Sequence, residues 1–237
     1  MHLAEIDYIS NNGESMLHRC RVFSKFILIL CLLASLLLTS SLLKLSVLIA
    51  IILMLFIISK VSFKKIVHLA LYPVFFSLIF ALIMSRQSLV LAGVIILRAL
   101  GAGLSMLLLI TTTPYVDVFA FLSLFMPSLL VDIFIFTYRS FFILIEKIGS
   151  LMKSIKLKGG HKPLNICKNL SNIAGAIGVL IIHSFEMSER MYKIYTLRGY
   201  NGRIPLNVEL FPLKAFDFAI ISASIIILVG TVIPWSL

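Results

Sequence analysis

The chain has 237 residues, 60% of them hydrophobic and only 13% charged, with a mean hydropathy of +1.10. A soluble domain carries about a quarter charged residues, so this composition leaves little surface that water would wet and specifies an integral membrane protein. Its 21 Lys+Arg against 10 Asp+Glu give +11; in a membrane chain such an excess reports which loops stay in the cytoplasm, and nucleic acid drops out as a partner.

Residues 1–25 read as a cytoplasmic N-terminal segment. It opens with Glu5, Asp7 and Glu14 and shows no small-residue cleavage pattern, so no signal peptide is expected. From Phe26 to Ile58 only Lys44 is charged. One helix of that length, at ~1.5 Å per residue, would overrun a ~30 Å hydrocarbon core, so the stretch is a hairpin. Its break falls at Thr39, Ser40, Ser41 and Lys44, giving spans over 26–43 and 45–59. A third span covers 66–84, with Pro73 as a kink, and a fourth 89–110. These make a four-helix transmembrane region over 26–110, and a fifth span over 218–235 lies in a C-terminal segment, 215–237.

Five crossings put the termini on opposite sides. Arg19, Arg21 and Lys25 precede the first span, Lys60, Lys64 and Lys65 separate the second and third, and twelve basic residues lie from Arg139 to Lys214; Lys44 and Arg86 stand alone in the other loops. The expected protein is a multi-pass plasma-membrane protein with its N-terminus in the cytoplasm and its C-terminus outside.

Between lies a predicted cytoplasmic domain of coupling helices, 111–214. It contains two apolar stretches, 116–136 and 173–185. The first carries Asp117, Pro127 and Asp132, and the second is too short to cross. If both crossed, Arg139, Lys147, Lys153, Lys156, Lys158, Lys162 and Lys168 would be exported. The region therefore reads as membrane-hugging, its apolar faces set against one another, the span ends and membrane lipid.

Inside this domain Glu146, Lys153, Leu157, Lys158 and Gly159 recur forty residues later as Glu186, Lys193, Leu197, Arg198 and Gly199. Each copy ends a predicted helix, with a glycine suited to the left-handed position after the helix and Pro163 or Pro205 beyond. Glu186–Arg190 and Glu189–Lys193 are i,i+4 pairs on the second helix. A basic last turn followed by glycine is a common cap, worth ~0.3–1 kcal/mol. Two copies on neighbouring helices suit two equivalent sockets on a two-part partner, each tip offering a cation to an acidic groove.

The run Thr112-Thr113-Pro114, Met126-Pro127-Ser128, Tyr138-Arg139 and Glu146, closing at Leu157-Lys158-Gly159, resembles the T component of energy-coupling-factor (ECF) transporters, as does Leu197-Arg198-Gly199-Tyr200. Ile6-Asp7 and Lys25 resemble the cobalt-type branch, the CbiQ-like proteins. The resemblance covers nearly the whole chain and is specific in the cytoplasmic half. It implies an all-α integral membrane protein that holds together two ABC-type ATPase subunits and a small substrate-binding membrane subunit. In that family two Ala-Arg-Gly motifs dock in ATPase grooves. By position they fall on Leu157, Lys158, Gly159 and Leu197, Arg198, Gly199 here, with Leu for Ala in both and Lys for Arg in the first. Lysine keeps the charge but loses the planar fork.

The resemblance implies import of cobalt or nickel, with a vitamin as the alternative cargo, since the cargo is chosen by another subunit. The chain lacks GxxxxGK[ST], so ATP hydrolysis belongs to the partner ATPases and this subunit is non-catalytic, with no cofactor of its own. Arg98, in mid-span, with Gly101 and Gly103 beyond it, reads as a membrane-embedded subunit contact, a structural pairing being favoured for Arg98. His2, His18, His68, His161 and His183 have no metal-site spacing, and Cys20, Cys31 and Cys167 form neither a zinc nor a disulfide pattern. A membrane-embedded enzyme would need a cluster that Asp117, Asp132 and His183 do not form, and a self-contained secondary carrier would need more midplane polar residues than Arg98.

Overall fold

The computed structural model describes residues 2–13, 15–59, 63–86, 88–160, 166–202, 204 and 215–233. Among these, every regular element is an α-helix. In chain order they are α1 (His2–Asn12), α2 (Met16–Arg19), α3 (Val22–Leu38), α4 (Leu42–Ile58), α5 (Phe63–Ser85), α6 (Leu89–Thr112), α7 (Tyr115–Leu122), α8 (Ser128–Leu157), α9 (Ile166–Leu197) and α10 (Ala215–Val232). They form two compact units, one of Met1–Phe121 with Val208–Leu237 and one of Leu122–Asn207.

In the first unit, α3, α4, α5, α6 and α10 lie where the five apolar runs predict spans. The turn between α3 and α4 forms because Ser41 stays extended and its side chain accepts the Lys44 N–H, capping α4. Leu28, Leu32 and Leu36 recur every four residues on α3, so they share one face. That face packs with Leu45, Leu48, Ile52 and Phe56 of α4 and Leu104 and Leu108 of α6. Lipid tails are as apolar as leucine, so close packing rather than escape from water holds such helices together. Leu30, Val47, Phe75, Phe80 and Ile226 point outward and exposed, as an all-α membrane protein requires.

Among the described residues of this unit, three cations close the C-terminal ends of helices. The Lys25 ammonium donates to the Thr112 carbonyl at the end of α6 across 2.7 Å, and Lys44 donates to the Thr231 and Ile233 carbonyls at the end of α10 at 3.0 and 2.8 Å. Arg98 Nη2 donates to the Thr39 carbonyl at the end of α3 at 2.7 Å. Helix C-termini carry free carbonyls and partial negative charge, so a cation there satisfies both. The opposite arrangement holds at the start of α3, where the fully buried Asp217 carboxylate accepts the Arg21 N–H at 2.8 Å and the Ser24 hydroxyl at 2.9 Å.

The residues before the first span form α1 and α2, and α1 packs on α6. The first unit also takes in residues 111–121, which the sequence reading groups with the coupling helices. Phe121, at the end of α7, stacks on Phe26 with centroids 4.1 Å apart and lies 6.1 Å from Phe23.

The two apolar stretches between the fourth and fifth predicted spans take different forms. The apolar stretch 116–136 is two helices, because Pro127 holds an extended backbone (φ −61°, ψ 146°) before α8. The stretch 173–185 is the middle of α9, a helix of 32 residues, not a short interfacial segment. By length and composition α6, α8 and α9 can cross a membrane, while α3, α4, α10 and the 70–85 part of α5 are shorter apolar helices.

Candidate functional site

Within the second unit, α8 and α9 run antiparallel. The Phe136 ring meets Tyr195 at 4.7 Å and Ser140 meets Met191, so each turn forward on α8 is a turn back on α9. Between them lies a groove of about 320 Å³ lined by Leu144, Ser184, Met187, Tyr192 and the residues just named. The same register carries Glu146 level with Phe185, beside its repeat equivalent Glu186. The forty-residue repeat is thus arranged about a two-fold axis near the two glutamates.

Both copies end in one backbone motif. At the end of α8, Gly160 N–H donates to the Ile155 carbonyl at 2.9 Å and Gly159 N–H to Lys156 at 3.2 Å. At the end of α9, Tyr200 N–H donates to Tyr195 at 3.0 Å and Gly199 N–H to Thr196 at 3.1 Å. This pair of bonds is the Schellman ending, and it needs a left-handed residue after the cap. Gly159 and Gly199 supply it with φ of +69° and +79°. Lys158 and Arg198 occupy the same cap position, and Leu157 and Leu197 before them are 79% and 89% exposed. Each tip thus offers one apolar side chain and one cation. Because the helices are antiparallel, the two tips sit at opposite ends of the hairpin, roughly 40 Å apart at ~1.5 Å per residue.

The tips are held differently. Asp132 is buried near the start of α8; its carboxylate accepts the Tyr200 hydroxyl at 2.8 Å and the Ile204 N–H at 3.1 Å. The hydrogen bond to Asp132 pushes the Tyr200 phenol above its usual 10. Arg139 Nη1 donates to the Tyr195 hydroxyl at 3.0 Å. At the other tip, Asn172 donates its amide to the Gly160 carbonyl at 2.6 Å. Pro163 and Pro205, expected just past the tips, and His161 lie outside the described residues.

Arg98, Gly101 and Gly103 lie on α6 and meet groups of their own chain. Arg98 caps α3, and a Cβ on Gly101 would come within 2.8 Å of Leu36 Cδ2. On Gly103 it would come within 2.7 Å of Pro73 Cγ, so α3 and α5 approach α6 at its glycines. Among the described residues, no three His, Cys, Asp or Glu side chains are arranged to hold a metal. His183 lies 3.9 Å from Glu186, while the side chains of His2 and His68 lie outside the described residues.

Sequence reasoning assigned no structural contact to His18, Lys25, Asp132 or Asp217, which the fold uses as such. The available signal was a single polar residue at the edge of an apolar run for Lys25 and Asp217. His18 Nε2 lies 3.1 Å from the Thr111 carbonyl and Nδ1 2.6 Å from the Ser15 hydroxyl. Burial holds this imidazole below its ordinary 6.5, opposed by the Thr111 bond and assisted by nearby Lys25.

Comparison with known proteins places this geometry in a family. Residues 13–209 match the cobalt transport protein family, CbiQ. The chain is 34% identical over 114 residues to the uncharacterized protein MJ1089 of Methanocaldococcus jannaschii, a stretch covering 46% of this chain and 40% of that protein. It is 32% identical over 101 residues to the uncharacterized protein MJ1571 of the same organism, covering 43% of this chain and 34% of that one. The chain therefore spans less than half the length of these relatives. With most of its length matched, and with an all-α membrane fold among the described residues, the chain belongs to the cobalt transport protein family CbiQ.

Proposed function

We propose that this chain is the transmembrane coupling subunit of an ECF-type uptake system for cobalt or nickel. It joins two cytoplasmic ABC-type ATPases to a substrate-binding membrane subunit. The observation that carries the reading is the pair of matching tips, Leu157-Lys158-Gly159 and Leu197-Arg198-Gly199, with one backbone motif at opposite ends of one hairpin. A two-fold-related pair of tips suits a pair of related ATPases, each contributing one socket.

In each socket an acidic group pairs with the cation and an apolar floor receives the leucine. The contact is strongest where the charge is desolvated. Arg198 can grip a carboxylate with two bonds, whereas Lys158 offers a compact, strongly hydrated charge. ATP-driven closure of the two ATPases moves both tips, and the hairpin carries that motion to the membrane and the substrate-binding subunit. The chain supplies no hydrolysis. In this reading the N-terminus and the hairpin are cytoplasmic, α8 and α9 lie along the membrane surface, and the C-terminus is outside.

The test is retention of the ATPases in mild detergent. Arg198→Ala should release ATPase more readily than Lys158→Ala, and each should lower ATP-driven cobalt uptake by membrane vesicles. Full retention in both variants would remove the reading.

A further inference from the structure

The two tips share a backbone motif but differ in what stands behind them. Around Arg198, one face of α8 supplies three contacts. Asp132 takes the Tyr200 hydroxyl, Phe136 packs on Tyr195 and Tyr200 at 4.7 and 6.0 Å, and Arg139 holds the Tyr195 hydroxyl. Spacings of four and three put Asp132, Phe136 and Arg139 on that single face. Tyr195 and Tyr200 are the two residues joined by the long Schellman bond, so the face grips both ends of the turn that carries Arg198. Asp132 also fixes the chain beyond it through the Ile204 N–H. Around Lys158, the equivalents of Tyr195 and Tyr200 are Ile155 and Gly160, which have no ring or hydroxyl to hold, and the Asn172 amide braces the Gly160 carbonyl.

We propose that Asp132 is a positioning residue for the Arg198 tip, fixing the direction in which that tip points. The inference deepens the proposed coupling function and rests on it for its consequence, though not for the brace itself. A carboxylate buried near the start of a helix is costly unless its oxygens are satisfied, and here the partners that satisfy it both follow the far helix's last turn. Among the described residues, only Asp132 of the three gripping residues reaches past Tyr200 to the next segment. It therefore sets the direction of the tip as well as its packing.

Two measurements on the full chain test this. In the first, Cys31 and Cys167 are replaced by serine and a nitroxide is attached at Arg198→Cys or Lys158→Cys, with no ATPase present. Asp132→Leu should sharpen the spectrum at 198 and leave 158 unchanged. Tyr200→Phe, which keeps the ring packing and removes one hydrogen bond, should act in the same direction at 198. Asp132→Asn should largely restore the immobile spectrum, because an amide can accept from Ile204 and donate to Tyr200. Equal sharpening at both tips, or none at 198, would overturn the brace.

In the second, ATPase binding is measured for Asp132→Leu combined with each tip variant. The expected loss is about ten-fold in the parent and under about two-fold in Arg198→Ala, with full additivity to Lys158→Ala. Additivity to both would make Asp132 a general fold residue and overturn the proposal. If Arg198→Ala alone left ATPase binding unchanged, the coupling function would fail, and the nitroxide spectra would still decide the brace.

Discussion

Lys25 donates its ammonium to the Thr112 carbonyl across 2.7 Å while being only 2% exposed, so a cation from the first turn of α3 closes the far end of α6. The contact stands directly before Thr113-Pro114, where the chain leaves the transmembrane helix. Lys25→Met keeps the length and apolar stem but leaves a buried carbonyl without its donor, at a cost of ~1–3 kcal/mol. The expected result is a lower melting temperature in detergent, with Lys25→Arg intermediate because the larger fork must fit the same buried space. An unchanged melting temperature in Lys25→Met would show that the cap contributes nothing.

His18 gives a pH dependence with a definite sign. Burial lowers its folded-state pKa below 6.5, so the unfolded chain takes up the proton first as the solution is acidified. The stability from neutral, hydrogen-bonded His18 is fully present above about 6.5, its unfolded value, and is lost as pH falls through the lower folded value. Melting curves at pH 5.0 and 7.5 should separate, and the separation should shrink in His18→Gln. A Cβ at Gly13 would run into the His18 ring, so Gly13→Ala should lose the same pH effect by displacing the imidazole.

The α6 glycines should differ in their tolerance. At Gly101 an added methyl meets the end of the Leu36 side chain, which can change rotamer; at Gly103 it meets the Pro73 ring, which cannot. Gly103→Ala should therefore cost ~1–3 kcal/mol, as overpacking does, and Gly101→Ala less. Comparing the two melting temperatures checks this, and equal losses would mean that α5 shifts as easily as a leucine.

Much of the transmembrane unit was legible in the sequence because apolar run length and turn residues are local signals. Ser41 marked the α3–α4 break and Pro73 sat inside α5 as read. The coupling region was legible at its ends but not along its length. The Gly159 and Gly199 turns follow from short motifs, whereas α9 runs unbroken through Asn169, Ser171 and Asn172, polar residues that make 173–185 look isolated. Contacts such as Asp132 with Tyr200, 68 residues apart, and Arg21 with Asp217, 196 apart, depend on chain topology, and no periodicity announces them. The same limit applies to basic residues counted as topology markers. Lys25 and Lys44 each cap a helix, a role that charge counting does not see.

Gly159 and Gly199 have open space where a Cβ would go, so substitution there tests backbone conformation alone. Gly159→Val and Gly199→Val should each cost ~1–2 kcal/mol from the left-handed φ, with valine's branching adding to it. Circular dichroism should show unchanged helix content. ATPase retention should nevertheless fall, because the turn that aims each cation is altered. Gly199→Asn should be milder, since asparagine tolerates this region.

The central claim is that the two tips are the ATPase contacts, and charge reversal at both tests it most directly. In a Lys158→Glu, Arg198→Glu double variant of the assembled transporter, the ATPases should no longer co-purify and ATP-driven cobalt uptake should be lost. Helix content and melting temperature should stay near those of the parent, and each desolvated contact should account for a loss of ~2–5 kcal/mol. Retention of both ATPases with full uptake would contradict the claim and leave Lys158 and Arg198 as ordinary helix caps.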